Sequence, residues 1–231
     1  MKLFDNENLG INFIENFVFH YSGSAHLKDI NSGKYLFSNQ VNVSKLGFSV
    51  ADDIYGMTVR DLDLQICHLW GNLAERIEIF EQAIRARMEV IFDSNQLSIL
   101  PDGFLAVHNM KKFPLLNQQG KALAIITTSD QITNQVDLLQ LFKFYQNFFQ
   151  SKPPQVIIDK FLNYLQIFDY FDSMPTLMEL KILLYKYKFR TSKIVASLLQ
   201  LSINTIETHL YHLRHKINTD LNTLFSQIKR V

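Results

Sequence analysis

The stretch SKIVASLLQLSINTIETHLYHLRHKI, residues 192–217, decides the fold of the C-terminal part of the chain. Within it Ile206, Leu210, Leu213 and Ile217 recur at spacings of four, three and four, which predicts a helix with one apolar face. Ser202 stands where a cap for this helix is expected. The opposite face is polar and holds Asn204, Glu207, Thr208, Tyr211, His212 and His215. The pattern predicts a helix that packs by its stripe and turns polar side chains outward.

The region around this helix matches a known motif in register and without a gap from Pro175 to Ile217. The matching positions, in chain order, are Thr176, Glu179, Ile182, Leu183, Ser192-Lys193-Ile194-Val195-Ala196, Leu199, Leu201, Ser202, Thr205-Ile206-Glu207-Thr208-His209-Leu210, Leu213, Lys216 and Ile217. On these residues the chain resembles the LuxR/NarL/FixJ-type helix-turn-helix. The resemblance implies an all-α DNA-binding domain over residues 173–231, with Ser173 or Thr176, then Thr191, then Ser202 as helix caps.

The resemblance also implies which side chains meet double-stranded DNA. Lys193 and Lys216 are the candidates for phosphates, and Asn204, Thr208, Tyr211 and His212 are those for base edges. The predicted DNA-binding set is completed by Thr191, Ser192, Thr205, Glu207 and His215. A regulator of this kind is expected to work as a homodimer and to have RNA polymerase among its partners.

Two positions depart from the family pattern. Glu207 stands where the family usually has Lys, so a negative charge replaces a group that attracts phosphate. It either accepts a hydrogen bond from a cytosine amino group or indicates that the helix no longer binds DNA. Phe189 stands where the family has the Gly between its first two helices, so that position needs either a conformation that a bulky residue tolerates or a differently shaped turn.

Residues 11–133 show short β-like runs separated by turn signals, with helical sequence between the early and late runs. The predicted strands are Phe17–Tyr21, Lys34–Ser38, Glu89–Asp93, Leu97–Leu100, Phe104–Asn109 and Ala122–Thr128. Gly103 and Gly120 lie in turns that predict antiparallel hairpins. Apolar residues recur at spacings of three and four from Trp70 to Ile84, with Glu81 among the charged residues between them, which predicts a helix. An α+β domain follows from this order.

This front domain resembles a PAS domain in several places. The residues that carry the resemblance are Lys28-Asp29, Ser32-Gly33, Tyr35, Asn39, Gly47-Phe48-Ser49, Asp53-Ile54, Gly56-Met57-Thr58, Pro114-Leu115, Asn117, Gly120, Ile125-Ile126, Asp130 and Ile132-Thr133. The resemblance implies a five-stranded antiparallel sheet with helices around a small cavity, and with it ligand sensing, dimerisation or both. The resemblance is compatible with a bound small-molecule effector of unknown identity, and no cofactor is predicted.

Three residues bear on the identity of a ligand in the front domain. Cys67 lies in Gln65-Ile66-Cys67-His68-Leu69 rather than in the flavin-binding Asn-Cys-Arg-Phe-Leu pattern, so flavin photochemistry is not expected. His68 is a candidate haem ligand, but a surface or core histidine is the preferred interpretation. Trp70 is either a stacking partner for a ligand or a core aromatic, and the core is preferred.

We predict that residues 135–171 form a linker of two helical stretches, with Pro153-Pro154 ending the first. Apolar residues cover more than one face of each stretch, so both must be buried on several sides. Packing against the front domain and pairing with a second copy of the chain are the two alternatives. We favour the dimer, because linkers between a sensor and a DNA reader commonly pair.

Composition and charge narrow the class of function. Residues 175–231 hold nine Lys and Arg against three Asp and Glu, although the whole chain has a formal net charge of only +1. A basic tail favours a polyanion as its partner. The single Cys argues against disulfides and a Cys-based zinc site, and no metal site is predicted. The absence of a signal peptide and of a long apolar run predicts a cytoplasmic protein without membrane contact.

The sequence therefore predicts a DNA-binding transcription regulator whose PAS-like domain senses a small molecule or partner. The alternative is a protein-interaction adaptor with a degenerate helix-turn-helix. No Gly-rich phosphate loop and no Gly-x-Ser-x-Gly elbow is present, so an enzyme is not expected.

Overall fold

A boundary between Asn134 and Gln135 divides the chain into two units. The computed structural model describes residues 8–71 and 73–228. The predicted linker, residues 135–171, belongs to the second unit. Its action as a separate dimerisation segment stays a prediction.

The first unit is built on a five-stranded antiparallel sheet. The strands are β1 (Ser24–Asp29), β2 (Tyr35–Ser38), β3 (Ile91–Ile99), β4 (Leu105–Leu116) and β5 (Ala122–Gln131). They pair in the order β2-β1-β5-β4-β3. The predicted sheet is thereby confirmed.

Two glycine-containing turns connect the long strands. Gly103 (φ 87°) lies between β3 and β4, and Gly120 (φ 77°) between β4 and β5. The N–H of each donates to a carbonyl three residues earlier, at 2.8 Å to Leu100 and 2.9 Å to Asn117. These positive φ values favour glycine because it lacks a Cβ. Both predicted hairpins are confirmed.

The start of the sheet differs from the prediction. Phe17–Tyr21 is not a strand: most of it forms the end of α1 (Asn8–His20), whose Val18 is fully buried. The first strand is β1, which was missed because its sequence SAHLKD holds no β-branched residue and two charges. The predicted strands at 89–93 and 97–100 are one strand, β3, whose pairing with β4 is irregular between Asp93 and Gln96.

Three helices cover the first unit beside α1: α2 (Gln40–Lys45), α3 (Val59–Trp70) and α4 (Leu73–Arg87). Thr58 and Asp61 form a capping box at the start of α3. Gly71 (φ 58°) ends α3, so the predicted run from Trp70 spans two helices. Glu81 of α4 is charged but buried, at 3% exposure, on the same helix as the buried Ile77 and Ile84.

The second unit consists, among the residues described, of helices joined by loops, with an isolated β-bridge between Phe171 and Ile217. Its helices are α5 (Leu138–Phe148), α6 (Pro154–Tyr164), α7 (Leu177–Phe189), α8 (Ser192–Leu199), α9 (Ile203–Arg214) and α10 (Leu221–Gln227). The apolar faces of α5 and α6 meet each other and α7. Phe161 lies 4.9 Å from Phe142 and 5.0 Å from Tyr145 between ring centroids. Much of the apolar surface of the predicted linker is therefore buried within the chain.

Short-range hydrogen bonds set where the helices of this unit begin. Thr176 and Glu179 form a capping box on α7, and Ser202 accepts from the N–H of Thr205 at 3.0 Å on α9. Thr191 occupies the N-cap of α8 without a side-chain cap bond. The positive φ between α7 and α8 falls on Arg190 (62°), while Phe189 ends α7 as an ordinary helical residue. This shift explains how the turn is made without the family glycine.

We expect Gln200→Gly to raise the free energy of unfolding of the second unit by about 1 kcal/mol. Gln200 ends α8 in the left-handed conformation (φ 56°, ψ 40°), where a Cβ is unfavourable, and its side chain is exposed. Thermal unfolding followed by circular dichroism measures the change. The matched control, Gln200→Ala, keeps the Cβ and gains nothing. A glycine variant less stable than the wild type would contradict the assignment of strain.

Candidate functional site

A cavity of about 50 Å³ lies in the first unit between the sheet and helices α2, α3 and α4. Its wall is partly apolar, with Leu73, Ile77 and Ile99 among the lining residues. The polar part of the wall is made by Ser24, His26, Tyr35, Asn42, Lys45, Trp70, Gln96, Ser98, Lys112, Thr127 and Ser129. A space of this size holds a few water molecules or a small ligand.

A second, larger pocket adjoins the cavity. Ser24, Lys45 and Ser129 line both the cavity and an adjoining, larger pocket at the end of β5. Lys45, at the end of α2, is half-buried. The shared residues place Lys45 between the two spaces.

Three charged side chains meet inside the unit beside the cavity. Lys28 of β1 donates to Glu81 of α4 at 2.7 Å, and both side chains are almost fully buried. Lys112 of β4 lies 3.6 Å from the same carboxylate oxygen and donates to Thr127 at 3.0 Å. The Lys28 ammonium group also stands 4.4 Å from the centre of the Tyr35 ring. The cluster ties α4 to strands on both halves of the sheet.

Burial and charge set the protonation states around the cavity. Burial acts to raise the pKa of Glu81, but Lys28 and Lys112 outweigh it and hold that pKa below its usual value. Burial lowers the pKa of Lys112 to about 8 and that of Lys45 to about 8. Burial and the neighbouring Lys112 hold the pKa of His26 well below its usual value. His26 is therefore neutral at pH 7.

Several polar atoms in the wall have no hydrogen-bond partner within the described part of the chain. They are both ring nitrogens of His26, Nε1 of Trp70, and the hydroxyls of Ser98 and Ser129. A buried polar group without a partner is costly, so such groups commonly meet a ligand or ordered water. Their convergence on one space makes the cavity the candidate ligand site.

Only some of the residues that line this cavity were identified from the sequence. Trp70 does line the cavity, whereas Cys67 and His68 are exposed on α3. Lys28, Glu81 and Lys112 were missed as site residues. Their sequence context gives no sign of burial, because each stands in a locally polar segment.

The second candidate site is the exposed face of α9. Ile206, Leu210 and Leu213 are buried, which confirms the apolar stripe. Thr208 donates to the carbonyl of Asn204 at 2.9 Å, and the rings of Tyr211 and His215 lie 4.5 Å apart between centroids. The predicted DNA-contacting residues that α9 and its C-cap expose are Asn204, Glu207, Thr208, Tyr211, His212 and His215.

Of the remaining predicted DNA contacts, some are exposed and others already have hydrogen-bond partners within the chain. Thr191 and Lys193 are exposed at the start of α8. Ser192 accepts from Lys186 at 3.0 Å, and the hydroxyl of Thr205 lies 2.8 Å from that of Ser202. Lys216 donates to Glu179 at 2.8 Å, so its ammonium group already has a carboxylate partner. Contact of Lys216 with phosphate would have to compete with this ion pair.

Two further features limit the classes of site. Within residues 8–71 and 73–228, His, Cys, Asp and Glu side chains form no group of three or more placed to hold a metal ion. The same residues include no helix long and apolar enough to cross a membrane.

Comparisons with known proteins concern the fold. No protein-family model and no curated protein matches the sequence. The crystal structure of a phage VqmA–DPO complex is 18% identical and covers 96% of this chain and 88% of that chain, with a TM-score of 0.50. A Vibrio cholerae VqmA–ligand–DNA complex is 18% identical over 96% of this chain and 87% of that chain (TM-score 0.49). The PAS domain of BvgS from Bordetella pertussis is 19% identical over 61% and 99% (TM-score 0.48).

The sheet order, the cavity beneath the sheet and the helices α7 to α9 agree with the expectations drawn from the sequence. The likeness to phage VqmA extends over both units. The chain therefore has a PAS fold followed by a helical C-terminal unit, the same order of folds as phage VqmA.

Proposed function

We propose that the chain is a DNA-binding transcription regulator whose PAS-like unit binds a small molecule. The observation that carries the proposal is the two-faced α9, which packs by Ile206, Leu210 and Leu213 and leaves its opposite face to solvent. A helix of this kind can enter the major groove and present side chains to base edges. We place the regulator in the cytoplasm, and its function requires no catalysis.

We assign the base-edge contacts to Asn204, Thr208, Tyr211 and His212, with His215 at the edge of this surface. The phosphate contacts fall to Lys193, with Thr191, Ser192 and Thr205 near the starts of α8 and α9. Free N–H groups at a helix start favour a phosphate. Lys216 orders the unit through Glu179 and reaches phosphate only if that ion pair opens.

The sensing half of the proposal rests on the unpartnered polar atoms of the cavity wall. Phage VqmA was crystallised with DPO, and we propose that the cavity here likewise takes a small molecule. Two copies of the chain would place two copies of α9 on two half-sites. The effector then acts by changing the spacing or freedom of the two readers, and RNA polymerase is the further partner of such a regulator.

The second candidate function is a protein-interaction adaptor, and Glu207 favours it. This carboxylate is exposed on the proposed reading face, and no described residue neutralises it. A negative charge there opposes the approach of a phosphate backbone.

Glu207→Lys separates the two candidates. We expect the wild-type chain to bind a mixed-sequence duplex at low salt and the variant to bind about tenfold more tightly, with the slope of log K against log salt steeper by about 0.9. Fluorescence anisotropy of a labelled duplex measures both quantities. Glu207→Gln, which removes the charge without reversing it, should fall between them. Binding by the lysine variant alone would favour the adaptor.

A further inference from the structure

The cavity of the first unit carries an excess of positive charge. Glu81 is the carboxylate of the buried cluster, and Lys28 already pairs with it at 2.7 Å. The ammonium group of Lys112 lies farther from the same oxygen, at 3.6 Å. Lys45 lines the cavity and has no ion pair or hydrogen bond with a described residue. Asp93 is a second buried carboxylate near Lys112, but it already pairs with Arg76. Arg85 also approaches Glu81, at 3.8 Å. The cationic groups around this space therefore outnumber the carboxylates.

The free hydrogen-bonding groups of the wall are mostly donors. Nε1 of Trp70 and the ammonium groups of Lys45 and Lys112 can only donate. Acceptor capacity comes from Ser98 and Ser129, whose hydroxyls also donate, and from one nitrogen of neutral His26. A ligand that satisfies this wall must bring acceptor atoms, and a negative charge would complete the electrostatic balance.

We propose that the ligand of this cavity is a small organic anion whose acidic group lies between Lys45 and Lys112. This inference rests on the proposed sensing role and names the class of molecule sensed. The apolar body of the ligand would lie against Leu73 and Ile77, and the indole N–H of Trp70 would supply a further donor. Burial lowers the pKa of both lysines to about 8, and an anion bound between them would favour their charged forms.

Matched pairs of acid and amide test the charge preference on the full-length chain. The probes are benzoate with benzamide, and propionate with propionamide, which keep shape nearly constant while the charge changes. Isothermal titration calorimetry gives each Kd. Fluorescence of Trp70 serves as a second readout, because it is the one tryptophan of the chain and lines the cavity. We expect at least one acid to bind about tenfold or more tightly than its amide.

Two lysine variants show whether the preference comes from the proposed groups. Lys45→Met removes a cation without leaving a partner unpaired, and Lys112→Met leaves Glu81 paired with Lys28. Both variants should therefore fold, and both should bring the ratio of acid to amide affinity close to one. Lys121→Met, in the exposed turn before β5, is the matched control and should leave the ratio unchanged.

Three results would overturn the proposal of an anionic ligand: amides that bind as tightly as acids, a preference that survives both lysine variants, or no binding by either pair. Amide binding would leave the cavity as a ligand site of another class. DNA binding, measured on the same samples by anisotropy, reports separately on the function proposed above.

Discussion

Glu81→Gln is expected to lower the free energy of unfolding of the first unit by about 3–5 kcal/mol. The substitution keeps the size of the side chain but removes the negative charge that faces Lys28 at 2.7 Å and Lys112 at 3.6 Å. Two buried ammonium groups then lose their counterion. Breaking a buried pair by removing one partner costs far more than breaking an exposed one.

Urea unfolding followed by Trp70 fluorescence measures this loss, since that residue is buried in the first unit. The matched control is Glu78→Gln on the same helix. Glu78 pairs with Arg60, whose side chain is 55% exposed, and the control should cost at most about 1 kcal/mol. Equal effects of the two variants would mean that the Lys28–Glu81–Lys112 cluster contributes no more than a surface ion pair.

Leu210→Ala is expected to destabilise the second unit by about 2–5 kcal/mol and to weaken DNA binding through loss of folded protein. Leu210 is 1% exposed at the centre of the α9 stripe, so the truncation leaves a cavity against the neighbouring helices. Thermal unfolding by circular dichroism gives the stability, and anisotropy gives the DNA affinity.

Tyr211→Ala on the adjacent position separates folding from DNA reading. Tyr211 is 58% exposed, so its truncation should change stability by about 0.5 kcal/mol or less. Loss of a base-edge contact should still weaken binding to a specific site by about 1–3 kcal/mol. A Leu210→Ala variant with wild-type stability would contradict the packing of α9 on its stripe.

The features that the sequence predicted correctly are those encoded over short distances. The caps at Thr176 and Ser202 lie three residues from the N–H groups they bind, and the α9 stripe repeats within a single helix. The hairpins around Gly103 and Gly120 depend on the conformation of one turn each. Such signals are complete within a few residues, so a sequence displays them directly.

The errors arose where tertiary contacts decide the structure. Lys28 and Glu81 are separated by 53 positions, and the buried ion pair between them forms only in the folded chain. Read locally, a Lys in SAHLKD and a Glu on a charged helix both suggest a solvated surface. The ion pair of Lys216 with Glu179, which lies 37 positions away, was likewise not predicted from the sequence, and contact of Lys216 with phosphate stays a prediction.

Selection from randomised duplexes by the full-length chain, followed by a salt titration of the winning site, tests the central claim most directly. We expect a roughly palindromic site whose half-sites lie about one helical turn, roughly 34–36 Å, apart, because each copy of α9 reads one half. We also expect a steep loss of affinity as salt rises. No enriched site, together with no binding at low salt, would contradict the assignment of α9 as a DNA reader.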